Sequence, residues 1–137
     1  MGNLINNLKE EVPFKVKSYF PIKDYEIIEI VDNYNEIDGL EFSFEFDFDQ
    51  IQNLEEKTNK LYEKYNGRIP IREYTFDFEK DLNDLIFHLE DEYPQDNIDD
   101  NDKIEITCEK TSIGLDVKID IKKINKKAVK IKRFIRT

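Results

Sequence analysis

Leu40 to Asp49 read LEFSFEFDFD, a stretch in which every second residue is apolar and the residues between are serine or acidic. Alternation with a period of two is typical of a β-strand that turns one side to a core and the other side outward. The apolar side consists of one leucine and four phenylalanines, whereas the other side carries Glu41, Glu45, Asp47 and Asp49. The stretch therefore predicts a half-buried strand with an acidic outer surface.

Further alternating segments predict more strands of the same kind. Two of them, Phe14–Phe20 and Tyr25–Val31, precede the phenylalanine strand, and Ile71–Phe78 follows it. Lys103–Glu109 and Ile113–Ile121 are separated only by a short polar turn. This last pair is the clearest hairpin in the chain.

Helical periodicity appears in three places. Asp49 and Gln52 match a capping box, and the apolar residues after them follow helical spacing until Gly67, which is placed to end the helix. A second amphipathic helix is predicted over residues 79–93, before a proline. A short helix is also predicted over residues 3–11.

These elements predict an α+β fold in a single domain, residues 1–137. We expect a mainly antiparallel sheet of about six strands, two amphipathic helices packed on one face, and a short N-terminal helix. A chain of 137 residues with 39% hydrophobic residues is long enough to bury its own core. The basic C-terminal segment, residues 122–137, fits either a helix or a last strand, and its β-branched residues favour the strand.

Charge is distributed unevenly along the chain. It has 31 acidic and 21 basic residues, but residues 122–137 contain eight of the basic ones and no acid, so residues 1–121 carry a net charge of −18. A body of that charge repels nucleic acid and anionic membranes and attracts basic proteins. We therefore expect a basic protein partner, with no direct binding to nucleic acid or membrane. The alternative is that the acids only maintain solubility.

Residue types needed for common catalytic chemistry are scarce. The only histidine, His88, lies among acids on a predicted helix, and the single cysteine, Cys108, alternates with buried isoleucines. Four glycines provide no phosphate-binding loop. We expect a non-enzymatic protein without catalytic residues or cofactors. One cysteine and no N-terminal apolar run indicate a cytoplasmic protein.

The best metal-site candidate is the acidic loop 96–102, which superficially resembles a calcium loop. Asp102 stands where that loop requires glycine, and Cys108 stands where it requires a bidentate acid. The sequence therefore predicts a solvated loop rather than a metal site.

Carboxylates at outward strand positions are the strongest functional signal. Only Lys103, Lys118 and Lys122 interrupt them. The candidate partner-binding residues are Glu41, Glu45, Asp47, Glu73, Asp77, Glu105, Glu109, Asp116 and Asp120. Such charges also protect strands from edge pairing, although charges of both signs would serve that purpose and would form favourable cross-strand pairs.

The spacing of these carboxylates suggests one kind of partner. Same-side residues on a strand repeat every ~6.7 Å, a spacing of the same order as that of phosphates along a DNA strand, which rises about 3.4 Å per nucleotide on a longer helical path. We expect a small inhibitor that blocks the basic nucleic-acid-binding surface of a nuclease, with nucleic-acid mimicry as a candidate means. Composition rich in Asn, Ile, Lys and Asp is typical of AT-rich bacterial or phage genomes, so an anti-CRISPR-type phage protein or a toxin immunity protein fits.

Two other classes remain open. The first is a structural or assembly module that self-associates through its acidic body and basic tail. The second is an enzyme that relies on carboxylates and a metal. The oligomeric state does not follow from the sequence.

Overall fold

A computed structural model describes residues 2–96 and 102–123 of the chain. Its elements are α1 (Gly2–Tyr19), β1 (Ile22–Val31), β2 (Ile37–Phe46), α2 (Phe48–Lys64), α3 (Phe78–Phe87), a π-helical turn (His88–Glu92), α4 (Tyr93–Asp96), β3 (Asp102–Lys110) and β4 (Gly114–Lys123). The expected α+β class with an antiparallel sheet is confirmed. Within these described residues the sheet has four strands, in the order β1-β2-β4-β3, so the expectation of about six strands is wrong.

Two predictions fall outside the described residues. They are the strand assignment for the basic tail beyond residue 123 and the conformation of the acidic loop at residues 97–101.

Helix α1 extends to Tyr19, so the strand predicted over Phe14–Phe20 is wrong. One stripe of this segment recurs every four residues and is at most 1% exposed: Leu8, Val12, Val16 and Phe20. Burying each large apolar side chain contributes about 1.5–3 kcal/mol, which together outweighs the ~3 kcal/mol cost of Pro13 inside the helix. Phe14, which suggested a strand, is 74% exposed.

The segment predicted as a strand over Ile71–Phe78 is a turn followed by the start of α3. Its only buried side chain is Phe76, whose backbone N–H donates to Oγ1 of the buried Thr58 at 2.8 Å. This bond from α2 occupies a backbone group that a sheet ladder would otherwise use. Upstream, Gly67 adopts a positive φ of 82° and its N–H donates to the carbonyl of Tyr62, as expected for a helix-ending glycine.

Two aspartates begin the two main amphipathic helices. Asp47 caps α2 by accepting from the N–H of Gln50 at 3.2 Å, and Asp77 caps α3 by accepting from the N–H of Lys80 at 3.2 Å. The Gln50 side chain also donates to the Asp47 carboxylate, so the N-cap lies two residues before the predicted Asp49–Gln52 capping box. Each cap precedes a phenylalanine at the first helical position.

The predicted second helix also continues further than expected. α3 leads through the π-helical turn into α4, so the helical run passes Pro94 and reaches Asp96. Pro94 has no N–H to donate, and it directly follows the π-helical turn, in which the N–H of Tyr93 donates to the carbonyl of His88.

The hydrophobic core lies between one side of the sheet and helices α1 and α3. All four strands contribute to this inner side, and the inward side chains of β2 and β4 are almost completely buried: Leu40, Phe42, Phe44, Phe46, Leu115, Val117, Ile119 and Ile121. Phe20 stacks on Phe46 with ring centroids 4.7 Å apart. The phenylalanine-rich stretch Leu40–Asp49 therefore supplies the centre of the core.

The β3–β4 turn brings Gly114 against β2. A Cβ atom on Gly114 would lie 1.9 Å from the Phe44 carbonyl oxygen, so only glycine fits this position. Within residues 2–96 and 102–123, no helix is long and apolar enough to cross a membrane.

Candidate protein-binding surface

The side of the sheet opposite the helices is here called the open face. Its residues alternate with the core residues of each strand, and no helix of the described segments packs against it. Its carboxylates are Asp24, Glu26, Glu41, Glu45, Glu105, Glu109, Asp116 and Asp120. Its lysines are Lys103, Lys118 and Lys122, with Lys23 at the margin in a β1 irregularity. The open face thus carries eight acidic residues and four lysines.

Strand register places several of these acids side by side. Glu26 of β1 lies opposite Ser43 of β2, Ser43 lies opposite Asp116 of β4, and Asp116 lies opposite Glu109 of β3. Glu105 and Asp120 form a second directly opposed acidic pair. Like charges at opposed positions destabilise a sheet, so these pairs work against the stability of the fold.

Ion pairs neutralise only part of the open face. Lys118 lies 3.6 Å from Glu41, Lys122 lies 2.9 Å from Glu105, and Lys23 lies 3.8 Å from Glu45. The hydrogen bond from Lys122 lowers the pKa of Glu105, and the same contact raises the pKa of Lys122. Both side chains are more than half exposed, so this pair contributes little to stability.

The part of the open face around Ser43 has a different character. Among the described residues, no ion pair reaches Glu26, Glu109 or Asp116. A shallow depression of about 440 Å³ lies here, and its lining includes Glu26, Ser43, Glu45 and Asp116. Carboxylates around such a depression are suited to bind an ammonium or guanidinium group.

The structure brings together six of the nine predicted interface residues. Glu41, Glu45, Glu105, Glu109, Asp116 and Asp120 all lie on the open face. The other three lie elsewhere. Asp47 and Asp77 cap helices, and Glu73 lies in the turn before α3, where its carboxylate accepts from the Tyr65 hydroxyl at 3.4 Å. Their positions follow from the strand at residues 71–78 being absent and from β2 ending at Phe46.

Sequence reasoning missed Asp24 and Glu26, which extend the open face onto β1. The signal was present, because both alternate with Tyr25 and Ile27, whose side chains pack against the core. The run of isoleucines at residues 27, 28 and 30 obscured that alternation.

His88 and Cys108, the two residues considered for catalysis, each lie beside a glutamate. Nδ1 of His88 lies 3.9 Å from Glu92. Cys108 is partly buried, and burial with the nearby Glu90 carboxylate raises the pKa of its thiol to about 12. A thiol with so high a pKa is a poor nucleophile at neutral pH. Within the described part of the chain, no group of three or more His, Cys, Asp or Glu side chains is arranged to hold a metal ion.

Comparison of the chain with protein-family models, with curated proteins and with solved structures finds no match.

Proposed function

We propose that the protein is a stoichiometric inhibitor whose open face binds the basic, nucleic-acid-binding surface of a nuclease in the cytoplasm. The observation that carries this proposal is the register of Glu26, Asp116 and Glu109, three carboxylates in one row across the sheet with no ion pair among the described contacts. Lysine and arginine side chains that normally contact phosphates would meet carboxylates there instead. Steering by charge makes such association fast and salt-dependent.

The repulsion within the open face supports a binding role. Directly opposed acids lower the stability of the free protein, and a basic partner would relieve that repulsion. If the open face served solubility alone, placing Asp116 opposite Glu109 would bring no advantage, because a lysine at either position would keep the protein equally soluble. An anti-CRISPR-type phage protein and an immunity protein for a nuclease toxin both fit this chemistry.

The proposal is tested with nuclease cleavage assays. The full chain is titrated into reactions of an RNA-guided DNA nuclease and of a DNase toxin, before and after the enzyme meets its DNA. We expect inhibition at one-to-one stoichiometry, stronger when the protein is added first, and weaker as salt rises from 0.1 to 0.5 M, where the screening length shortens from about 10 Å to a few Å.

Matched variants identify the surface. Glu26→Lys/Glu109→Lys/Asp116→Lys should abolish inhibition. Asp49→Lys/Glu55→Lys/Glu56→Lys makes the same change in charge on the exposed side of α2 and should inhibit normally. Equal inhibition by both triple variants, or inhibition insensitive to salt, would contradict the proposal.

A further inference from the structure

The two edges of the sheet are unlike each other. On β3, the N–H of Cys108 points away from β4 and donates to Oε2 of Glu90 at 2.7 Å, and the π-helical turn packs beside the same strand. On β1, no strand of the described residues pairs on the outer side. An edge strand of this kind offers unpaired backbone groups to an added strand.

The hydrogen-bond pattern identifies which backbone groups β1 offers. The N–H of Phe46 donates to the carbonyl of Ile113, in the turn before β4, and the N–H of Asp47 donates to the carbonyl of Pro21, just before β1. The backbone N–H and C=O groups of even-numbered β2 residues therefore point to β4, and those of odd-numbered residues point to β1. The β1 partners of those odd-numbered residues are even-numbered from Asp24 to Ile30. The N–H and C=O groups of Tyr25, Ile27 and Glu29 therefore point outward, since directions alternate along a strand.

One of these outward groups is already engaged. The N–H of Tyr25 donates to Oδ1 of Asp24 at 2.8 Å. Register shifts occur between Ile22 and Asp24 and between Ile30 and Val31, so the regular edge is the seven-residue stretch 24–30. The outward N–H groups of Ile27 and Glu29 both lie within that stretch.

We propose that the β1 edge binds an extended basic segment of the partner as a fifth, antiparallel strand. The inference rests on the proposed inhibitor function and specifies how the partner engages the open face. An added strand would carry basic side chains opposite Asp24, Glu26 and Glu29, and apolar side chains opposite Tyr25, Ile27, Ile28 and Ile30. Main-chain hydrogen bonds then supply affinity and the side chains supply specificity.

Charge favours this occupant over a second copy of the chain. Each chain has a net charge of −10, so two copies repel each other at long range, whereas a basic segment is attracted to the acidic residues of β1. Ile28, which is 52% exposed beside Glu26 on the open face, gives the basic segment an apolar contact that a simple polycation lacks. The fitting partner is therefore a strand of mixed basic and apolar residues.

The probe is a blocked peptide, Val-Lys-Val-Val-Lys-Val-Lys, which matches residues 30 to 24 in antiparallel order. Backbone hydrogen exchange of the full-length ¹⁵N-labelled protein is followed with this peptide, with its Lys-to-Glu counterpart and with heptalysine. We expect the lysine–valine peptide alone to slow exchange at Ile27 and Glu29 at least tenfold. Unchanged exchange at both residues overturns the inference.

Two variants separate the edge from the charge. Glu29→Pro removes an outward N–H without removing a bond to β2, whereas Glu29→Ala removes the same side chain and its ion pair with Lys9 but keeps the N–H. The proline variant should bind the peptide at least tenfold more weakly than the alanine variant, and equal binding contradicts the inference. The exchange measurement on the unmodified protein decides the matter if the proline variant does not fold.

The outcomes also distinguish the inference from the proposed function. Salt-dependent heptalysine binding that Glu109→Lys/Asp116→Lys abolishes, without peptide protection of Ile27 and Glu29, leaves the acidic surface intact and overturns only the edge. Peptide protection of Ile27 and Glu29, combined with heptalysine binding that this double charge reversal leaves unchanged, instead supports the edge and contradicts the role of the open face. Protection of Ile27 and Glu29 in the protein alone, whether or not it rises with protein concentration, shows another occupant and overturns the inference.

Discussion

Asp116 of β4 lies directly opposite Glu109 of β3, and each is an outward residue of the open face. Two like charges at directly facing positions of neighbouring strands lower the stability of a sheet, and two unlike charges there raise it, each by about 0.2–1 kcal/mol. The pair is therefore a local cost to folding in a position where the partner-binding proposal requires negative charge.

Replacing one member of that pair should separate stability from binding. We expect Asp116→Lys to increase the free energy of unfolding by about 0.5–1 kcal/mol, measured by urea denaturation, because repulsion by Glu109 becomes attraction. The same variant should bind heptalysine more weakly. Glu26→Lys is the matched control: it lies opposite Ser43, so stability should change by less than about 0.5 kcal/mol. A destabilised Asp116→Lys variant would contradict the repulsion argument.

Asp47 and Asp77 should behave as structural residues. We expect Asp47→Ala and Asp77→Ala each to lower the free energy of unfolding by about 1 kcal/mol, because each removes the acceptor for a helix N-terminal N–H. Asp→Asn at either position keeps an acceptor and removes the charge, so the loss should be smaller. Denaturation curves measure both effects.

The asparagine variants also test the interface assignment. If the open face alone binds the partner, Asp47→Asn and Asp77→Asn should inhibit a sensitive nuclease as well as the unmodified protein does. A tenfold loss of inhibition with unchanged stability would return both aspartates to the interface.

These residues illustrate what the sequence was able to predict. The period of two identified β2 and the β3–β4 hairpin because tertiary packing agrees with the local pattern there. The same period failed at residues 14–20, where a longer-range stripe beginning at Leu8 favours a helix. It failed again at residues 71–78, where the decisive bond comes from Thr58 of α2. Neither contact is visible within a short window of sequence.

The site was predictable to the extent that the strands were. Six acids on β2, β3 and β4 follow from alternation alone. The opposition of Asp116 to Glu109 depends on the β3–β4 register, which the hairpin turn sets through the hydrogen bonds between Thr111 and Gly114. The identity of the free edge depends on strand order, which no local pattern encodes.

Tyr93 should make stability sensitive to alkaline pH. Its hydroxyl donates to Oε2 of Glu11, and burial followed by this bond raises the pKa of Tyr93. The stabilisation is complete below the ordinary tyrosine pKa of about 10 and falls as pH rises beyond it, because the unfolded chain ionises first. Tyr93→Phe should cost about 1.5–3 kcal/mol at pH 7 and should weaken the alkaline loss.

Tyr62→Phe is the control for that prediction. Tyr62 lies on α2 and is 49% exposed, so its replacement should change the free energy of unfolding by less than about 0.5 kcal/mol. Urea denaturation at pH 7, 9 and 10.5 gives both comparisons. An alkaline loss that is identical in Tyr93→Phe and the unmodified protein would assign it to other groups.

Cys108 should react slowly with thiol reagents because it lies on β3, the edge strand that the π-helical turn covers. Burial, with a smaller effect of Glu90, raises the pKa of its thiol to about 12, well above that of a free thiol. At pH 8 the thiolate fraction is therefore much smaller than in the unfolded chain, and the thiolate is the reactive form. We expect iodoacetamide to alkylate the native protein at least a hundredfold more slowly than the same protein in urea.

Glu90→Gln removes the charge but keeps an oxygen acceptor for the Cys108 N–H, so alkylation should accelerate while the fold persists. Glu90→Ala also removes the acceptor, and hydrogen exchange at Cys108 should then rise to the rate of an open edge. Equal alkylation rates in the native and unfolded protein would mean that the β3 edge opens freely, and the contrast between the two edges would fail.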